Sequence, residues 1–160
     1  MNYLDESLSR REYLLLGVKK FVEEASKLEG VRRIALVGSL TTYKSEPKDA
    51  DVLVTVDDDV DMKTLATLGR RLKNCLPISS GADIFLSNER NEYLGRTCRF
   101  RECSDHHRCE GFLCYQGKAN WIQDDFQNVK LPEKLIVDPP VVLWPEKSGN
   151  APDDVVRILF

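Results

Sequence analysis

Two short apolar runs restrict the fold of this chain more than any other feature. Ile34-Ala35-Leu36-Val37 shows no polar alternation, the pattern of a strand buried on both faces, and predicts a central strand over Val31 to Val37. A polar stretch from Leu40 to Lys48 follows, with Pro47 near its end. After it comes Asp51-Val52-Leu53-Val54-Thr55-Val56, whose β-branched residues predict a second strand.

The flanking segments read as helices. Leu14, Val18, Phe21, Ala25 and Leu28 line one stripe of an amphipathic helix running from about Asp5 to Glu29, with Gly30 as its stop. Met62, Leu65, Leu68 and Leu72 return at helical spacing after Asp61, a natural N-cap, and predict a second helix over Met62 to Asn74. Ala82 to Leu86, after a loop marked by Pro77 and Gly81, predicts a third strand. The order helix, strand, strand, helix, strand is that of an α/β domain.

At 160 residues, 42% hydrophobic and 31% charged, the chain can bury roughly 70% of its unfolded surface. That excludes disorder and collagen-like architecture. Its apolar runs fall far short of the ~18 residues that span a bilayer, so no membrane association is expected. Charges recur from Asp5 to Lys20, where a secretory signal needs an apolar core, so a cytoplasmic location is expected. The 23 basic and 26 acidic residues leave a net charge of -3, which gives no long-range pull toward polyanions.

Composition changes beyond Asn88. The expected organisation is a core over 1–88 and a small cysteine-rich unit over 89–160, with a hairpin from Gly111 to Gln123 and an irregular Pro-rich C-terminal segment packed on the core. Cys98, Cys103, Cys109 and Cys114, spaced C-x4-C-x5-C-x4-C, suit a structural zinc site of ribbon-like form, with His106 or His107 as alternatives for one thiolate. Such a site contributes on the order of 10 kcal/mol to folding a small unit. Six basic residues near the cysteines (Arg90, Arg96, Arg99, Arg101, Arg108, Lys118) are nearly cancelled by acidic ones and read first as a solvated mixed-charge face.

The chemistry concentrates between Leu36 and Val54. A strand running into Gly38-Ser39 makes a turn whose missing side chain lets a ligand approach the backbone. Asp49 and Asp51, two apart at a strand start, send both carboxylates to one face. At 4 Å and an effective dielectric near 20 such charges repel by about 4 kcal/mol, so one is protonated or a cation is bound, and hard oxygen ligands favour magnesium or manganese. Asp83 joins the pair if the third strand neighbours the second. The acidic tract Asp57 to Asp61 instead reads as a turn and helix cap.

Gly38-Ser39, then Asp49-Ala50-Asp51-Val52 after a ten-residue gap, then Asp83 on a strand, resembles the nucleotidyltransferase superfamily related to DNA polymerase beta, especially its minimal members. The likeness covers about Val31 to Leu86. It implies a mixed sheet flanked by helices, contact of Gly38 and Ser39 with a nucleoside triphosphate, and two Mg2+ or Mn2+ ions on Asp49, Asp51 and Asp83. It also implies in-line transfer of a nucleotide to a hydroxyl acceptor with release of pyrophosphate, Asp83 serving as base. The rival expectation is a catalytically inactive nucleotide- or nucleic-acid-binding module, or an antitoxin-type protein that pairs with another protein.

Overall fold

The computed structural model describes residues 8–74, 81–99, 121–123 and 130–160. The first helix, α1 (Arg10–Ala25), is shorter at both ends than the expected span of about Asp5 to Glu29. Ser9 caps it, accepting from the Glu12 N–H at 3.1 Å, while the Glu12 carboxylate accepts from the Ser9 N–H at 3.4 Å. This reciprocal box satisfies two of the helix's orphan donors and fixes the start. The helix ends at Ala25, and the chain turns through Gly30, at φ +88°, into β1 (Val31–Val37).

A short 3-10 turn (Gly38–Thr41) leads toward β2 (Asp49–Val56), and α2 (Met62–Lys73) carries the chain to β3 (Gly81–Ser87). Asp61 caps α2 as expected, its carboxylate accepting from the Thr64 N–H and hydroxyl. The acidic tract is structural: Asp57 accepts from the Asp59 N–H at 2.9 Å and pairs with Arg32 at 2.7 Å.

Residues beyond 88 add strands to both edges of the same sheet. β4 (Tyr93–Thr97) and β5 (Ile122–Gln123) extend it past β3, whereas β6 (Val141–Trp144) and β7 (Ser148–Gly149) extend it past β1. The order is β5-β4-β3-β2-β1-β6-β7, with β2 and β3 parallel and the other paired strands antiparallel. The single parallel pair follows from α2, because a helical crossover returns the chain to the end from which it left.

The Pro-rich C-terminal segment expected to be irregular carries regular elements: α3 (Glu133–Val137), β6, β7 and α4 (Asp153–Leu159). Its prolines punctuate these elements. Pro132 and Pro152 stand at the N-caps of α3 and α4, and Pro140 and Pro145 bracket β6. Three of the four cysteines proposed for zinc (Cys103, Cys109, Cys114), both histidines and most of the expected hairpin lie outside the described residues.

Both faces of the sheet are covered, as the unbroken apolar runs require. Leu14, Val18, Phe21, Leu65, Leu68 and Val155 of the helices pack with Ile34, Leu36, Val52, Val54, Ile84 and Leu86 on one face. Ala35, Val37, Leu53, Phe85 and Tyr93 meet Leu131 and Ile136 on the other. Ile34 to Val37 and Val52 to Val54 are at most 1% exposed. Each fully buried Leu or Ile contributes about 1.5–3 kcal/mol. No described helix is long and apolar enough to cross a membrane.

Candidate active site

Strand alternation decides which side chains converge. Ala50, Val52 and Val54 belong to the helical face, so Asp49 and Asp51 share the opposite face with Leu53. The parallel register sets Asp51 beside Asp83 and Asp49 beside Gly81. Ile84 and Leu86 face the helices, which sends Asp83 to the aspartate side with Phe85. The three carboxylates therefore rise from neighbouring strands on one face, at the start of β2 and β3.

Two glycines make room for them. Gly38, at φ +74°, lies against the Asp51 carboxylate, and a Cβ at that position would run into its Oδ2. Gly81 does the same for Asp49: a Cβ there would collide with Oδ1. Gly38 combines a left-handed conformation with close approach, whereas Gly81 supplies space alone. The sequence reading noted Gly81 only as a loop marker, because its role depends on a strand pairing that composition does not reveal.

Burial, followed by repulsion from Asp83 and then Asp49, pushes the Asp51 carboxyl up from 3.8 to about 7, partly offset by Arg96. Arg96, on β4, donates to Asp83 Oδ1 at 2.7 Å; its side chain is 20% exposed and that of Asp83 33%. The sequence reading saw Arg96 only as part of a mixed-charge face. Its place in the site comes from the β3–β4 register, which sets it beside Phe85, next but one to Asp83 in the sequence.

Among the described residues no group of three or more His, Cys, Asp or Glu side chains forms a metal cage. The donor chemistry nonetheless fits a hard divalent cation. Three oxygen donors share a half-buried face, where burial first and then repulsion from Asp83 and Asp49 push the Asp51 carboxyl up to about 7.

The loop joining the halves of the motif is tied down by the first turn of α1. Arg11, 7% exposed, donates to the carbonyls of Leu40 and Lys44 at 3.2 and 2.8 Å, and its Nε meets Asp154 of α4 at 2.8 Å. Arg10 donates to the carbonyls of Pro47 and Lys48 at 2.8 and 3.2 Å. Within the loop, the Thr41 and Thr42 hydroxyls donate back to the carbonyls of Gly38 and Ser39. In the sequence the adjacent Arg10 and Arg11 are marked only as charges near the N-terminus. Their carbonyl partners lie about 30 or more positions away and are invisible to local pattern.

The sequence profile of a family of unknown function, DUF6932, matches residues 2–132. The chain belongs to the DUF6932 family. No curated protein and no solved structure matches it. The DUF6932 match takes in Gly38, Ser39, Asp49, Asp51, Gly81, Asp83 and Arg96, together with the four clustered cysteines. Asp154, the partner of Arg11, lies past it. Cys98, at the end of β4, is 8% exposed.

Proposed function

We propose that this DUF6932 protein is a nucleotidyltransferase that moves a nucleoside monophosphate from a nucleoside triphosphate to a hydroxyl acceptor, releasing pyrophosphate. The observation that carries the reading is the register of Asp51 with Asp83 on one face, with Gly38 against the Asp51 carboxylate. A sheet with a Gly-Ser turn on one flank of three converging carboxylates supports a nucleotidyltransferase-like fold. It also supports the roles that the sequence resemblance implies.

In this reading Asp49, Asp51 and Asp83 hold Mg2+ or Mn2+, which when bound offsets negative charge on the transferring phosphoryl group. Gly38 and Ser39 orient the triphosphate, since the turn at Gly38 is exposed and carries no side chain to block approach. Asp83 faces the acceptor hydroxyl and takes its proton. Its ion pair with Arg96 fixes the carboxylate in place before substrate arrives. Cys98, Cys103, Cys109 and Cys114 would hold a structural zinc ion, and the cytoplasm would supply the nucleotide.

The test uses α-labelled nucleoside triphosphates with magnesium or manganese and RNA, protein and small-molecule acceptors, comparing the wild type with Asp49→Ala/Asp51→Ala. Label transfer confined to the wild type supports the assignment. Transfer that survives the double substitution rejects it, and nucleotide binding with no transfer makes the protein a binding module. Elemental analysis gives about one zinc per chain if the cysteine assignment holds.

A further inference from the structure

Among the described residues Arg11 is the one charged residue that is buried. Taking a guanidinium out of water costs free energy unless its charge and its N–H groups are met. Asp154 of α4 meets the charge and accepts two of those groups, from Nε at 2.8 Å and from Nη2 at 3.2 Å. The rest of the fork points at main chain: Nη2 donates also to the Leu40 carbonyl at 3.2 Å, and Nη1 donates to the Lys44 carbonyl at 2.8 Å. A planar fork fixes its acceptors relative to one another, so both carbonyls are held in set places against α4.

Those carbonyls belong to the turn between β1 and β2 and to the loop that follows it. Leu40 lies within the 3-10 turn Gly38–Thr41 with its side chain fully buried, and Lys44 lies just past the turn. Inside the turn, the Thr41 and Thr42 hydroxyls donate to the Gly38 and Ser39 carbonyls at 2.6 and 2.7 Å. Such local bonds set the shape of the turn but not where it stands over β2. Gly38, at φ +74° and against the Asp51 carboxylate, leaves little room for error in that placement. A displacement of about 1 Å in a group that positions substrate can cost on the order of a hundredfold in rate.

We propose that Arg11 is a positioning residue for the nucleotide: clamped by Asp154, it seats the Gly38–Ser39 turn where the triphosphate is received. For what the turn receives, this placement rests on the nucleotidyltransferase reading. Arg11 acts through Leu40 and Lys44 and does not itself meet substrate. Asp154 lies beyond the residues 2–132 matched by the family profile, so α4 joins the framework of the site from outside that stretch. The metal ligands stand apart from this clamp. Asp49, Asp51 and Asp83 are set by the pairing of β2 with β3, in which the guanidinium takes no part.

The test compares wild type, Arg11→Lys, Asp154→Asn and Val155→Ala at a temperature where thermal melts show each to be folded. Lysine keeps the positive charge but has no fork to span both carbonyls. Arg11→Lys should bind ATP with magnesium about tenfold more weakly, and Asp154→Asn, which keeps one acceptor, about threefold more weakly. Mn2+ affinity measured without nucleotide should stay within about twofold of wild type in both, as expected for separate sites. Val155→Ala truncates a fully buried side chain of the same helix and spares the Arg11 contacts, so it should melt lower yet bind ATP as wild type does. Asp154→Asn carries the comparison if Arg11→Lys does not fold. Unchanged ATP affinity in the folded clamp variants, or an equal loss in Val155→Ala, would overturn the positioning role and leave the nucleotidyltransferase reading standing. Loss of Mn2+ affinity in step with ATP affinity would mark general damage to the site and overturn it as well. A wild type that binds no ATP would overturn both the role and the reading.

Discussion

Asp51 and Asp83 stand side by side in the parallel ladder of β2 and β3, and Arg96 from β4 holds the second of them at 2.7 Å. The cluster is thus part-neutralised by a residue of the protein itself. Replacing Arg96 with Gln removes a cation that lowers the Asp51 pKa and that pairs with Asp83. A partly exposed pair of this kind is worth about 1 kcal/mol, so manganese affinity should rise roughly fivefold in Arg96→Gln. Isothermal titration with MnCl2 checks this, and an unchanged or weaker affinity would show that Arg96 does not compete for the carboxylates.

The raised Asp51 pKa makes the metal-free protein's stability depend on pH. An unfolded Asp ionises near 3.8, whereas the folded one keeps its proton to about 7, so between those values the native state binds more protons than the unfolded state. Stability from this group is therefore complete below pH ~4 and lost as the pH rises through 7. Asp51→Asn removes the dependence. In chelator it should raise the melting temperature at pH 8, by an amount equivalent to at most about 4 kcal/mol and less in proportion to the carboxylate's exposure, with little gain at pH 4. Thermal melts at the two pH values decide the point, and a gain of equal size at both would count against an electrostatic origin.

Legibility from sequence followed the range of the interactions. β1, β2, α2 and β3 were readable because burial pattern and capping are local: Ile34 to Val37 and the Asp61 cap needed no knowledge of distant residues. The pairing of β2 with β3, on which the site depends, was conditional until the crossover through α2 placed those strands together. Arg96 and Gly81 act only through neighbouring strands, and Arg11 through carbonyls on the far side of β1, so no local pattern marks them. β6 was hidden because four residues flanked by prolines resemble a loop until β1 is there to pair with them.

Gly38 should tolerate no side chain. At φ +74° an L-residue costs about 1–2 kcal/mol, and its Cβ would displace the Asp51 carboxylate. Gly38→Ala should lower stability by about that amount and weaken binding of ATP with magnesium by tenfold or more, on the order of 1.4 kcal/mol. Denaturant melts and nucleotide titration measure the two effects separately. Normal nucleotide affinity in a destabilised Gly38→Ala would mean that the turn does not meet the triphosphate.

The Arg11–Asp154 pair ties α4 to the motif loop. The hydrogen bond from Arg11, with its charge, holds the Asp154 carboxyl below its usual 3.8, so the pair contributes stability above that value that fades as the pH falls beneath it. Asp154→Ala leaves a nearly buried guanidinium without its counter-ion. It should cost about 2 kcal/mol at pH 7, between the values for exposed and buried pairs, with a smaller penalty below pH ~4. Urea melts across that range provide the check, and a penalty independent of pH would assign the effect to packing of α4.

The central claim is that Asp49, Asp51 and Asp83 together bind a divalent cation. Electron paramagnetic resonance of free Mn2+, titrated with protein at pH 8, measures this without reference to nucleotide or acceptor. The account predicts saturable loss of the free-ion signal with wild type, abolished in Asp49→Ala/Asp51→Ala and weakened in Asp83→Asn. A wild-type protein that leaves the signal untouched, or a double variant that quenches it equally well, would contradict the account.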